Sequence, residues 1–162
     1  MESISHKNLE SISRLLINNN KVLGTAESCT GGWIAQALTS LAGSSAWFEC
    51  GFVTYSNASK KRMLGVNEAT LRDCGAVSEE VVIEMAEGVI QASDASISVA
   101  TSGIAGPGGG SDEKPVGTVW IAWAERDKAS RAEKFLFNGD REAVRKQAVS
   151  AAIEGILQNL SS

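Results

Sequence analysis

A chain of 162 residues, 43% hydrophobic and 21% charged, has the size and make-up of one globular domain. Its formal net charge is −4, and no basic run exceeds Lys60-Lys61-Arg62, so the basic face of a nucleic-acid binder is missing and neither DNA nor RNA is expected as a partner. No apolar run nears the roughly 20 residues that cross a bilayer, and Met1 to Leu9 holds no apolar signal core, so a cytoplasmic protein without a membrane partner is expected.

The helical spacing of Leu9, Ile12, Leu15 and Leu16 predicts a first amphipathic helix over 7–19, ended by Asn18-Asn19-Asn20. Val22 to Thr25 reads as the first strand, and Trp33 to about Leu41 as a helix broken by Gly43-Ser44-Ser45. Ala46 to Tyr55, rich in aromatic and β-branched residues, reads as a strand. Ser56 or Asn57 caps the helix that follows, which runs to Gly65. A short helix over Asn67 to Asp73 is closed by Gly75. Ser78 caps another, with Glu79 and Glu80 in its first turn where the helix dipole favours them, running to about Ala92. Ala95 to Ser102 reads as a buried strand, and Gly103 to Pro115 as a long glycine-rich loop. Val116 to Ala124 and Ala132 to Phe137 are two strands joined by a polar turn, and Asp140 caps a last helix from Arg141 to about Leu160.

Alternating helices and strands, with adjacent strands late in the chain, predict a single three-layer α/β domain: a mixed β-sheet with helices on both faces. No repeat, linker or boundary interrupts it, so residues 1–162 read as one domain with its core over about 9–160. Strand order does not follow from the sequence. Trp47 and Phe48 suit either an interface in a homo-oligomer or the core.

Thr25-Ala26-Glu27-Ser28-Cys29-Thr30-Gly31-Gly32 falls where the first strand hands over to a helix. Unpaired helical N–H groups collect at such a place and can hold an anion or a developing oxyanion. Ser28 there is either a cap or a nucleophile, and a nucleophilic serine needs a base. The one histidine, His6, lies in a polar N-terminal segment, and a Ser-His-Asp triad or a His-ligated metal would have to use it. The three cysteines, Cys29, Cys50 and Cys74, are odd in number and lack CxxC spacing, which reads as reduced thiols with no disulfide framework and no zinc site. No metal and no cofactor is therefore expected.

Lysine, tyrosine or carboxylate remain as the base. Tyr55-Ser56-Asn57-Ala58-Ser59-Lys60 supplies the first two at a strand end. If that strand lies beside the first, Tyr55 and Lys60 face Ser28, and Lys60 serves as a base once burial lowers its pKa. Lys61 competes, but lies about 100° round the helix, so only one of the two points into the site. The plain alternatives are a sheet-end tyrosine and a solvated lysine. Cys29 is a second candidate nucleophile or a small buried residue. The Thr101 to Gly110 loop, with Gly103 and Gly106, is either a surface loop or a backbone cradle for phosphate or an oxyanion. Arg141 and Arg145, one helical turn apart, are either a surface pair or a grip on a phosphate or carboxylate.

Taken together, Ala-Glu-Ser-Cys-Thr-Gly-Gly at 26–32, Tyr-Ser-Asn-x-x-Lys at 55–60, Gly-Ala-Val-Ser at 75–78, Gly-Ile-Ala-Gly-Pro with Lys-Pro-Val-Gly-Thr-Val at 103–119, and Gly-Asp-Arg-x-x-Val-Arg at 139–145 resemble the CinA C-terminal-domain family. The resemblance runs from about Leu9 to Leu160, without the molybdopterin-binding-like domain of full-length CinA proteins. Stand-alone members of that family include PncC-type nicotinamide-nucleotide amidases. The resemblance implies a small-molecule substrate, nicotinamide mononucleotide, hydrolysed to nicotinate mononucleotide and ammonia within pyridine-nucleotide recycling. It implies Ser28 as nucleophile, Lys60 as base and Tyr55 as a site tyrosine; the helix start itself points to the N–H groups of Thr30, Gly31 and Gly32 as receiving the oxyanion. Arg141, Arg145 or the 103–110 loop would take the phosphate. Glu49-Cys50 and Ser102 depart locally from the family pattern and leave substrate preference open. A non-catalytic binder of pyridine nucleotides or other phosphorylated ligands and a Cys29-dependent amidase are the alternatives.

Overall fold

The computed structural model describes residues 4–162; Met1 to Ser3, the start of the segment read for a signal core, lie outside the described residues. Five strands form one sheet: β1 (Leu23–Glu27), β2 (Phe48–Val53), β3 (Ile97–Gly103), β4 (Thr118–Glu125) and β5 (Arg131–Leu136). Among the described residues six α-helices accompany it: α1 (His6–Asn18), α2 (Trp33–Thr39), α3 (Asn57–Leu64), α4 (Glu68–Cys74), α5 (Glu79–Ala92) and α6 (Arg141–Ser161). Several boundaries differ from expectation by one or two residues, β3 starting at Ile97 and β4 at Thr118 among them. The first strand continues to Glu27, and the second starts only at Phe48 because Ser44–Ala46 wind into a single 3-10 turn. Ser56, Ser78 and Asp140 cap α3, α5 and α6, each accepting a backbone N–H three residues on.

The strand order is β2-β1-β3-β4-β5. β1 runs parallel to both β2 and β3, while β4 and β5 run antiparallel to their neighbours. The carboxyl ends of three parallel strands therefore open at one edge, the usual location of ligand sites in open α/β sheets.

Strand alternation sorts the side chains onto two faces. Leu23, Ile97, Val99, Val119, Ile121 and Trp123 build one core with α1, α2 and α6. The opposite face carries small residues, Gly24, Ala26, Ser98, Ala100, Ala122 and Ala124. That lets α5 lie close: a Cβ on Gly24 would come within 2.6 Å of Val89. The Ser98 hydroxyl donates to the Ala86 carbonyl at 2.6 Å, so this buried polar side chain is satisfied by the helix backbone. Trp47 is fully buried in the first core and Phe48 half-buried against it, so Trp47 serves the core and not an interface. Among the described residues no helix is long and apolar enough to cross a membrane.

Candidate active site

Sheet pairing continues one residue beyond β1. Ser28 N–H donates to the Thr101 carbonyl and Thr54 N–H to the Glu27 carbonyl, fastening the serine between both neighbouring strands. The chain then reverses through Gly31 and Gly32, at φ of 62° and 107°, left-handed values that suit glycine, and enters α2.

β2 ends beside β1, and α3 brings Lys60 back over the strand ends. Its Nζ lies 3.0 Å from Ser28 Oγ, 2.8 Å from the Thr54 carbonyl and 3.1 Å from the Tyr55 carbonyl. Lys60 is 1% exposed and carries no salt bridge among the described residues. Burial pushes its pKa below the ordinary lysine value. A neutral amine has two N–H donors and one lone pair. Protonated, Lys60 donates to all three oxygens; neutral, with the two carbonyls taking its donors, it turns its lone pair to the Ser28 hydroxyl. Lys61 points elsewhere, half-exposed, and pairs with Glu68 at 3.3 Å.

Cys29 follows Ser28 but packs into the hydrophobic core. Burial pushes its thiol up to about 11, so it is protonated near neutral pH and a weak nucleophile.

Ser28, Lys60 and Tyr55 open on a cleft of about 290 Å³, which Gly103, Gly106 and Arg141 also line. Arg141 spans its mouth, donating to the Gly106 carbonyl at 2.8 Å and to the Tyr55 hydroxyl at 3.0 Å. Tyr55 thus meets Lys60 through its backbone carbonyl, while its hydroxyl is engaged by Arg141. Ser102, a local departure from the family pattern, also lines this cleft.

Thr30, Gly31, Gly32 and Arg145 are close by but do not line the cleft. Arg145 donates to the carbonyls of Cys29 and Thr30 at 3.0 and 3.2 Å, with its guanidinium 5.5 Å over the Trp33 ring. Arg141 and Arg145 therefore act on different objects and do not form a joint grip. Gly31 N–H donates to the Ser28 carbonyl. Of the expected donors only the Gly31 N–H is taken up in this way; the N–H groups further into α2 go to Glu27, whose carboxylate accepts from Ile34 N–H at 2.8 Å, Ala35 N–H at 3.0 Å and the Thr30 hydroxyl at 2.6 Å. Glu27 is 1% exposed. Its part was not read from the sequence, although the signal existed: a carboxylate at the end of a buried strand, directly before a helix start, has N–H groups as its natural partners. Among the described residues no group of three or more His, Cys, Asp or Glu side chains is placed to hold a metal ion.

A serine presented at a strand-to-helix turn meets a buried lysine from the helix that follows the adjacent parallel strand, at one edge of a mixed-sheet α/β domain. The chain belongs to the CinA C-terminal domain family, whose model matches residues 5–160. It is 53% identical over 149 residues to the nicotinamide-nucleotide amidohydrolase PncC of Escherichia coli, covering 92% of this chain and 90% of that one. It is 58% identical over 139 residues to the protein of the same name from Pseudomonas putida, covering 86% of each. The solved structure of competence damage-inducible protein A from Klebsiella pneumoniae superposes with a TM-score of 0.93 at 39% identity, over 99% of this chain and 98% of that one.

Proposed function

We propose that this chain is a nicotinamide-nucleotide amidase of the cytoplasm, hydrolysing the carboxamide of nicotinamide mononucleotide to nicotinate mononucleotide and ammonia. The observation that carries the reading is the 3.0 Å contact between Lys60 Nζ and Ser28 Oγ, buried at the end of the cleft. The names and identities of the PncC relatives support the substrate.

Ser28 attacks the carboxamide carbon while neutral Lys60 takes the hydroxyl proton, held in orientation by the Thr54 and Tyr55 carbonyls. The Cys29, Thr30 and Gly32 N–H groups have no backbone partner among the described residues. Cys29 lines the cleft beside Ser28. Its N–H, with one from the glycine loop at Ala105 or Gly106, receives the tetrahedral oxyanion, an effect of roughly 3 kcal/mol per donor. The Lys60 ammonium returns its proton to the departing amine, ammonia leaves, and water deprotonated by Lys60 cleaves the acyl-serine. Arg141 and the glycine loop take the nucleotide phosphate, since Arg141 faces the cleft and Arg145 does not. Binding of the phosphate there replaces the Arg141 contacts to Tyr55 and Gly106.

The test is ammonia release from nicotinamide mononucleotide by the wild-type chain and by Ser28→Ala. Turnover lost in Ser28→Ala with the melting temperature retained supports the reading. Binding without turnover in the wild type makes the chain a ligand-binding module instead.

A further inference from the structure

We infer that Glu27 and Arg145 are a pair of positioning residues that clamp the Ser28 turn from two sides. The inference rests on Ser28 being the nucleophile.

Glu27 grips the turn only by its donors: the N–H groups of Ile34 and Ala35 and the Thr30 hydroxyl. Arg145 grips it only by its acceptors: the carbonyls of Cys29 and Thr30. No salt bridge joins the two side chains among the described residues, so neither is held by the other and each spends its charge on the turn. Charge-assisted hydrogen bonds of this kind are about twice as strong as neutral ones. Glu27 is 1% exposed and belongs to a strand flanked on both sides, a rigid anchor. Arg145 comes from the second turn of the long helix α6.

The clamp also sets peptide orientation. In a trans peptide the C=O and N–H point in opposite directions. With the Cys29 carbonyl drawn to Arg145, the Thr30 N–H points away from it. With the Thr30 carbonyl drawn the same way, the Gly31 N–H is turned back to the Ser28 carbonyl, where it donates at 3.0 Å. Releasing Arg145 frees both peptides to rotate, and Ser28 loses the fixed geometry that brings its hydroxyl to Lys60. A misplacement of about 1 Å at such a nucleophile costs on the order of 10²-fold in rate.

This separates the two arginines of α6 by role. Arg141 meets substrate and Arg145 meets only the protein. Glu27→Gln should also fail despite its equal size, because its amide NH₂ is turned against the Ala35 or Ile34 N–H.

The experiment compares Arg145→Ala, Arg145→Lys and Glu27→Gln with the wild type in two ways. The first is steady-state ammonia release from nicotinamide mononucleotide. The second is the rate at which phenylmethanesulfonyl fluoride labels Ser28, followed by mass spectrometry; the Oγ–S bond forms, fluoride leaves and the hydroxyl proton goes to Lys60. The expected result for Arg145→Ala is a kcat about 10²-fold down with KM within about twofold, a labelling rate reduced in proportion, and partial recovery of both with added low-millimolar guanidinium. A raised KM with unchanged kcat overturns the inference and makes Arg145 a substrate ligand. Unchanged labelling in both Arg145 variants also overturns it. Should Arg145→Ala fail to fold, Arg145→Lys and Glu27→Gln decide by the same labelling rate. If the wild type releases no ammonia, the proposed activity fails, and the labelling comparison still decides the clamp.

Discussion

Lys60 Nζ lies 3.0 Å from Ser28 Oγ although the two residues are 32 positions apart in the chain. The contact exists because β2 pairs with β1 in parallel, so both strands deliver their next element to the same edge. Lys61, the very next residue, faces solvent and Glu68. Lys60→Met is therefore expected to lower kcat by about 10²- to 10⁴-fold, the range for losing a general base. Lys61→Met should stay within about twofold of wild type. Ammonia release from nicotinamide mononucleotide measures both, and the reverse order would move the base to Lys61.

The same lysine sets a pH dependence. Burial lowers its pKa from the ordinary value, which is about 10.4 in model peptides. With neutral Lys60 as the proposed base, kcat/KM should rise with pH through the lowered pKa and reach its plateau below the range of an ordinary lysine. Stability follows the same sign. Between the lowered folded pKa and the ordinary unfolded one, the unfolded chain binds the extra proton, so stability rises with pH across that window. Lys60→Met should remove that slope. A profile of melting temperature against pH that is equally steep in Lys60→Met would refute burial of the amine as its cause.

Much of this fold was legible because its signals are local. Caps at Ser56, Ser78 and Asp140 act over three residues, and the β-branched and alternating runs mark strands by their own composition. Strand order was not legible, since it depends on which faces pack: the small residues of Gly24, Ala26, Ser98 and Ala100 make room for α5, and no single position announces that. The site divides the same way. Ser28, Lys60 and Tyr55 were picked out by residue type and by resemblance, and the structure brings Lys60 to the serine. The division of labour between Arg141 and Arg145 was not readable from a helical repeat. One turn of separation puts both on one side of α6, but one meets the cleft and the other meets backbone carbonyls reached only through the fold.

Cys29 offers a sharp negative test. Its thiol is buried and shifted up to about 11, so the thiolate is scarce at neutral pH. Iodoacetamide at neutral pH is expected to leave ammonia release unchanged, and Cys29→Ala should retain activity within about fivefold. Loss of activity on alkylation of Cys29 in a Ser28→Ala background that is still active would assign the chemistry to the thiol.

The final prediction links packing to catalysis through Gly88. This glycine sits in α5 where a Cβ would come within 2.2 Å of the Leu64 carbonyl oxygen and 3.0 Å of the Leu64 Cβ. Leu64 ends α3, one turn after Lys60. A backbone oxygen cannot swing aside as a flexible side chain does, so Gly88→Ala must push α3 off α5 and carry Lys60 away from Ser28. Alanine gains about 1 kcal/mol of helix propensity, but overpacking costs about 1–3 kcal/mol, and a contact this short belongs at the upper end. The expected outcome is a melting temperature lower by roughly 5 °C together with a clear fall in kcat. Gly155→Ala is the control. Its Cβ would meet the Trp123 ring at 2.1 Å on the opposite face of the sheet. That position lies about 20 Å along α6 from Arg141 and about 15 Å from Arg145. It should lower the melting temperature at least as much while leaving kcat nearly intact. Equal losses of kcat in the two variants would sink the idea that α3 seating governs the Lys60–Ser28 distance.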